Sequence, residues 1–374
     1  MKRLQLTAIL AALALLTSCG VSSTNGNTAE EAENTDQTEE RQEEEQQTAD
    51  TDTGTLENGE DDSGSQQRDG GPGGNGPGEG APGGRGGPGG QGGGITTTTD
   101  PEIQAVLDEN AGKFEQQTFT DPDTGYALEY SLYIPDSYDT SASYPLLMFI
   151  PDATGAGKSA QEIVEQYYGA DVWVTDADQE KHPSFVLVPA FSETVVNDNW
   201  EVSGQVETAV RLLQALQETY SIDPNRLYTT GQSMGCMTSL YLNSVYPDLF
   251  AASMFVSGQW DSSVLKPLEE GKFFYITAGG DAKASGGQDE VMAMFDADGI
   301  PYAYGTWSAQ DSAVEQDTAV EALTAQGLDA NMVRFETGSV FKEGESGQEH
   351  MASFNYGYKL TAVRDWLFAQ SKGT

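Results

Sequence analysis

Cysteine and histidine are nearly missing from this chain, with two of each among 374 residues. Cys19 lies in the N-terminal leader and Cys236 in the body, so no intrachain disulfide framework is available. His182 and His350 are too few to build a His/Cys transition-metal centre. No Asp-x-Asp-x-Asp loop marks a calcium site either. Positive charge is also scarce: 18 Lys and Arg face 59 Asp and Glu, for a net charge of −41. Such a surface excludes nucleic acid and other polyanions as natural partners. The apolar stretch at residues 6–16 is too short to span a bilayer, and no internal repeat is evident.

What is present falls into three zones. Lys2 and Arg3 followed by residues 6–16 read as a signal peptide, residues 1–18. Its end, Leu16-Thr17-Ser18-Cys19, resembles a bacterial lipobox. That resemblance implies cleavage before Cys19 and diacylation of that cysteine, and two acyl chains suffice for stable anchoring. Residues 19–95 carry almost no core-forming side chains. Between residues 20 and 70 there are 16 acidic residues against Arg41 and Arg68, and a Gly/Pro tract follows. This composition is expected to be disordered and to act as a flexible tether with an r.m.s. reach of roughly 50 Å. Residues 96–374 are long enough for one large α/β domain. The leader contributes +2 and the acidic segment −14, which leaves −29 on this domain.

Within the domain, apolar strands alternate with helical patterns, the signature of a mostly parallel sheet flanked by helices. Strands are expected at 126–134 (an edge strand), 144–150, 184–191, 226–230, 251–256, 272–278, 302–307 and 332–335. Helices are expected at 204–220, 234–246, near 289–295 (with Asp289 at its start), near 313–326, and as one closing helix at about 354–370.

The most informative run is Arg226-Leu227-Tyr228-Thr229-Thr230-Gly231-Gln232-Ser233-Met234-Gly235. A β-branched and aromatic strand breaks into Gly-x-Ser-x-Gly and resumes as a helix. This is the pattern of a nucleophile elbow, in which small residues allow a sharp turn that pushes the serine hydroxyl outward. A serine hydroxyl needs a neighbouring base. His350 follows the last strand, where the base of such a site belongs, whereas His182 precedes the elbow beside Pro183 and reads as an ordinary loop histidine. Asp281, directly after the 272–278 strand, is the first candidate for the acid that orients His350. Asp311, after the 302–307 strand, is its rival. The backbone N–H of Met234 and one from Asp152 or Ala153 are expected to hold an oxyanion, since Pro151 has no N–H to give. The Asp152 carboxylate would oppose that charge unless it points away. Trp200 and Trp260 are candidate walls of a substrate cleft, with core packing the alternative for each. Cys236 reads as a small buried residue.

From Ile222-Asp223-Pro224-Asn225-Arg226 through Tyr246-Pro247-Asp248-Leu249-Phe250-Ala251, the chain resembles secreted feruloyl, acetylxylan and polyhydroxybutyrate-depolymerase-type esterases. It departs from them at Cys236, where a second glycine is usual, and at Pro151-Asp152, where His-Gly is usual. The resemblance implies an α/β-hydrolase fold and ester hydrolysis through an acyl-enzyme, with no cofactor. The expected partners are an ester substrate, small or borne on polysaccharide, and a membrane reached through Cys19. The expected location is the outer face of a bacterial cell membrane. Two alternatives stay open: a serine peptidase of prolyl-oligopeptidase-like type, and a binding lipoprotein that keeps the fold without turnover.

Overall fold

Strands whose residues are apolar at every position need cover on both faces, and the architecture supplies it. The computed structural model describes residues 100–373. The expected signal peptide, the lipidation site at Cys19 and the tether therefore lie outside the described residues. Nine strands form one sheet: β1 Glu115–Thr120, β2 Ala127–Tyr133, β3 Tyr144–Ile150, β4 Phe185–Ala190, β5 Ile222–Gln232, β6 Ala252–Val256, β7 Phe273–Ala278, β8 Ala303–Trp307 and β9 Ala330–Phe335. Their order is β1-β2-β4-β3-β5-β6-β7-β9-β8. The β1–β2 and β2–β4 pairs are antiparallel, and the remaining pairs are parallel. This is the expected α/β-hydrolase architecture.

The helices are α1 Pro101–Asn110, α2 Ala160–Val164, α3 Tyr168–Asp171, α4 Asp176–Lys181, α5 Gly204–Thr219, α6 Met234–Val245, α7 Ala282–Asp298, α8 Ala313–Thr324, α9 Glu349–Lys359 and α10 Thr361–Phe368. Two cores result, one on each face. Along β3, Leu147 and Phe149 join the core packed by α3, α9 and α10, while Leu146, Met148 and Ile150 join that of α5, α6 and α7.

Several expectations need correction. The 126–134 strand is not the edge, because β1 pairs outside it and Leu128 is fully buried. Strand β1 reads Glu-Gln-Gln-Thr-Phe-Thr and is half solvated, so it offered no apolar signal. Asp289 does not start a helix. Helix α7 begins at Ala282, with the Asp281 side chain capping the Ala284 N–H at 3.3 Å. The Gly286-Gly287 pair had weakened the helical pattern there. Gly287 is required by packing, since a Cβ would press on Gln259. The closing segment is two helices meeting at Leu360, whose extended backbone ends α9. His350 is consequently in the first turn of α9 rather than in a loop.

Candidate active site

The elbow follows from close approach of three backbones. Helix α6 starts one residue after β5 ends, so Ser233 alone makes the turn, at φ 51° and ψ −115°. A non-glycine residue at positive φ is strained, and such strain is held only by its surroundings. Here the Ser233 N–H donates to the Val256 carbonyl at 3.0 Å and its carbonyl accepts from Met237 N–H at 2.9 Å. A Cβ on Gly231 would strike the backbone of Gly235, and one on Gly235 would strike the carbonyls of Ile150 and Pro151. Both glycines are therefore fixed by contact between β5, β3 and α6.

His350 lies between the other two polar residues of the site. Its Nε2 is 2.8 Å from Ser233 Oγ, and its Nδ1 is 2.6 Å from Asp281 Oδ2. An ionised carboxylate only accepts, so Nδ1 carries the proton and Nε2 is the acceptor facing the hydroxyl. Asp281 is 6% exposed. Asp311 sits elsewhere: its N–H donates to the Ser308 carbonyl and its own carbonyl accepts from Gln316. His182 is also remote from this arrangement, stacked on Phe368 with Nε2 2.8 Å from Asp365.

Sequence reasoning missed the groups that hold His350. Glu349, the first residue of α9, accepts from the Gly280 N–H through one oxygen and from the Gly338 N–H through the other, each at 2.8 Å. It thereby clamps the Asp281 turn and the loop after β9 to the helix that carries His350. Ser353 Oγ donates to the His350 carbonyl at 2.8 Å and lies 2.7 Å from Ser257 Oγ. Ser257 is itself at φ 50°. A glutamate next to a histidine has no sequence signal, because its acceptor role needs two distant loops.

The Asp152 carboxylate is turned into the protein. Its Oδ1 accepts from Thr154 N–H at 2.8 Å, Thr154 Oγ1 at 2.6 Å and Tyr167 Oη at 3.1 Å, and Oδ2 accepts from Gln232 Nε2 at 2.8 Å. Burial and the Asp152 charge push the Tyr167 hydroxyl well above its ordinary pKa, so it stays a donor. Among the described residues, the N–H groups of Asp152 and Ala153 donate to nothing. Met234 N–H, at the first position of α6, has no acceptor in its own helix. Backbone donors are thus left open at Met234, next to Ser233 in the chain, and in the loop after β3, whose Ile150 and Pro151 carbonyls lie against Gly235.

Trp200 is 40% exposed at φ 62°, and its ring meets the buried Trp260 edge-on at 5.2 Å. The Trp200 loop is fastened by Asp198, which accepts from Gln259 at 3.2 Å and pairs with Lys283 at 2.5 Å. Trp260 follows Gly258, where a Cβ would come within 2.7 Å of the Ser233 carbonyl. Cys236 is fully buried, and burial pushes its thiol far above the usual range.

A mixed sheet with this strand order, a strained serine at the β5–α6 turn, and Asp and His after later strands is an α/β-hydrolase. The chain belongs to the family described as putative esterase, whose match spans residues 123–356. It is 25% identical over 167 residues to acetylxylan esterase A of Aspergillus ficuum, covering 42% of this chain and 50% of that one. The chain thus spans about half the length of that curated relative. It also resembles the crystal structure of a thermostable esterase, at TM-score 0.57 and 24% identity over 72% of this chain and 64% of that one. A feruloyl esterase module from Clostridium thermocellum, complexed with sinapinate, aligns at TM-score 0.46 and 14% identity, covering 69% of this chain and 88% of the module.

Proposed function

We propose that this protein is a serine hydrolase of carboxylic esters, acting outside the cell on esters borne by polysaccharide or its fragments. One observation carries the chemistry: Ser233 Oγ, His350 and Asp281 are joined by hydrogen bonds of 2.8 and 2.6 Å at a strained turn. In this reading Ser233 Oγ attacks the ester carbonyl as its proton passes to His350 Nε2. Asp281 steadies the imidazolium through Nδ1–H. The N–H groups of Met234 and of Asp152 or Ala153 stabilise the oxyanion. Collapse of the tetrahedral adduct breaks the bond to the alcohol, which leaves with the proton from Nε2. Water, deprotonated by His350, then frees the acid and restores Ser233. No step calls for a cofactor.

The polymer-borne substrate is supported by the acetylxylan esterase relative. A tethered extracytoplasmic enzyme is supported by Leu16-Thr17-Ser18-Cys19, with residues 19–95 as the tether and 96–374 as the catalytic domain. The test is labelling of the protein by a fluorophosphonate probe, with Ser233→Ala and His350→Ala as controls. Labelling of the wild type alone is the expected result. A folded wild type that does not label would refute the mechanism and favour a binding protein.

A further inference from the structure

We propose that the buried Asp152 carboxylate is a positioning residue for the reaction: it clamps the loop after β3 to the residue before the nucleophile, and so fixes that loop's open N–H groups relative to Ser233 Oγ. The proposal deepens the esterase reading and rests on it. The residue type is itself the clue. A carboxylate beside a developing oxyanion raises the barrier unless the position gains something that outweighs the repulsion. Asp152 is 4% exposed, and a buried charge has to find donors. The donors it finds fall into two groups, one for each oxygen.

Oδ1 closes the turn. Of the N–H groups from Asp152 to Gly155, that of Gly155 donates to the Asp152 carbonyl at 3.0 Å and that of Thr154 to Oδ1 at 2.8 Å. Among the described residues, the N–H groups of Asp152 and Ala153 are left over, so the carboxylate selects which donors the turn leaves open. Thr154 Oγ1 and Tyr167 Oη, 2.6 and 3.1 Å from Oδ1, hold the same oxygen. Oδ2 reaches the elbow. It accepts from Gln232 Nε2 at 2.8 Å, and Gln232 is joined directly to Ser233. Strands β3 and β5 pair in parallel up to Ile150 and Gly231. Pro151 has no N–H to extend that ladder, so the Asp152–Gln232 bond carries the connection to where β3 opens into its loop and β5 into the elbow. The Ile150 and Pro151 carbonyls lie against Gly235 and set how near the loop comes. What the carboxylate adds is the orientation of the peptides beyond Pro151. A shift of about 1 Å in a group of this kind costs roughly a hundredfold in rate.

The test measures kcat and KM for 4-nitrophenyl acetate, and Ki for an alkyl trifluoromethyl ketone. It uses the wild type, Asp152→Ala, Gln232→Leu, the double variant and Asp152→Asn. Ser233 Oγ adds to the ketone carbon, its proton passes to His350 Nε2, and the negative charge goes to the ketone oxygen. Ki therefore reads the oxyanion site, and unlike turnover it does not move when part of the enzyme is unfolded. Asp152→Ala and Gln232→Leu should each lower kcat and raise Ki by about a hundredfold, with KM changed about threefold at most. The double variant should lose no more than the larger single loss, because both changes remove one clamp. Gln232→Leu leaves the turn at Thr154 intact, so it stays readable if Asp152→Ala fails to fold. In Asp152→Asn the remaining oxygen keeps Thr154 and Tyr167, and the new NH2 faces Gln232. The Gln232 amide can turn to accept it with Oε1, which makes no hydrogen bond among the described residues, so kcat should recover to within about fivefold of wild type. A Ki within about threefold of wild type in natively folded Asp152→Ala or Gln232→Leu overturns the assignment alone, and so does a fall in kcat without a matching rise in Ki. A wild type that neither hydrolyses the ester nor binds the ketone overturns the esterase reading, and this proposal with it.

Discussion

Asp171, at the end of α3, is fully buried, and among the described residues neither of its carboxyl oxygens has a hydrogen-bond partner. Burial pushes its pKa up to about 9, and the nearby Lys113 charge only partly offsets this. The native state therefore keeps the proton from pH 4 to pH 9, whereas the unfolded chain releases it near pH 3.8. Over that window the native state binds more protons, so stability is whole below pH 4 and declines as pH rises toward 9. The full linkage is a little over 1 kcal/mol per pH unit. Even half of it, between pH 5 and pH 8, amounts to about 2 kcal/mol. Asp171→Asn removes the titration while keeping the shape. Urea unfolding followed by circular dichroism at pH 5, 6, 7 and 8 gives the difference in unfolding free energy between variant and wild type, in which all other titrations largely cancel. At pH 5 the two should be close, since the substituted amide also leaves polar atoms unpaired. By pH 8 the variant should be the more stable by about 2 kcal/mol or more. A difference that stays flat across this range would refute the account of a neutral buried carboxyl.

Two further outcomes follow from the site. Glu349→Gln replaces one acceptor by an amide that faces a backbone N–H, so His350 loses its fixed placement; kcat should fall about tenfold or more with KM little changed, and an equal loss in both would point to general disruption instead. The Cys236 thiol, buried and held protonated, should react with a disulfide reagent only after denaturant is added; rapid reaction in the native state would contradict its placement behind the elbow.

Much of the fold is legible in the amino-acid sequence. Period and composition located the inner strands, because a strand buried on both faces must be apolar throughout. They failed at β1, whose polar residues face solvent, and at α7, where Gly286 and Gly287 obscure a helix that packs closely on Gln259. They also failed at the α9–α10 break, since Leu360 is an ordinary helix former placed in extended backbone by packing.

The candidate site divides along the same line. By itself the sequence pointed to Ser233 as the candidate nucleophile and, with two imidazoles to choose from and only one after the last strand, to His350 as its candidate base. Gly-x-Ser-x-Gly is a local device, and its meaning lies within five residues. Only the tertiary structure decided that His350 meets Asp281 and not Asp311, that Asp152 turns toward Thr154, Tyr167 and Gln232, and that Glu349 bridges two loops. His350 reaches Ser233 across 117 residues and Asp281 across 69. Such contacts depend on the register of β7 against β9 and on where α9 begins. Those are set by the packing of whole elements, which no short stretch of sequence encodes.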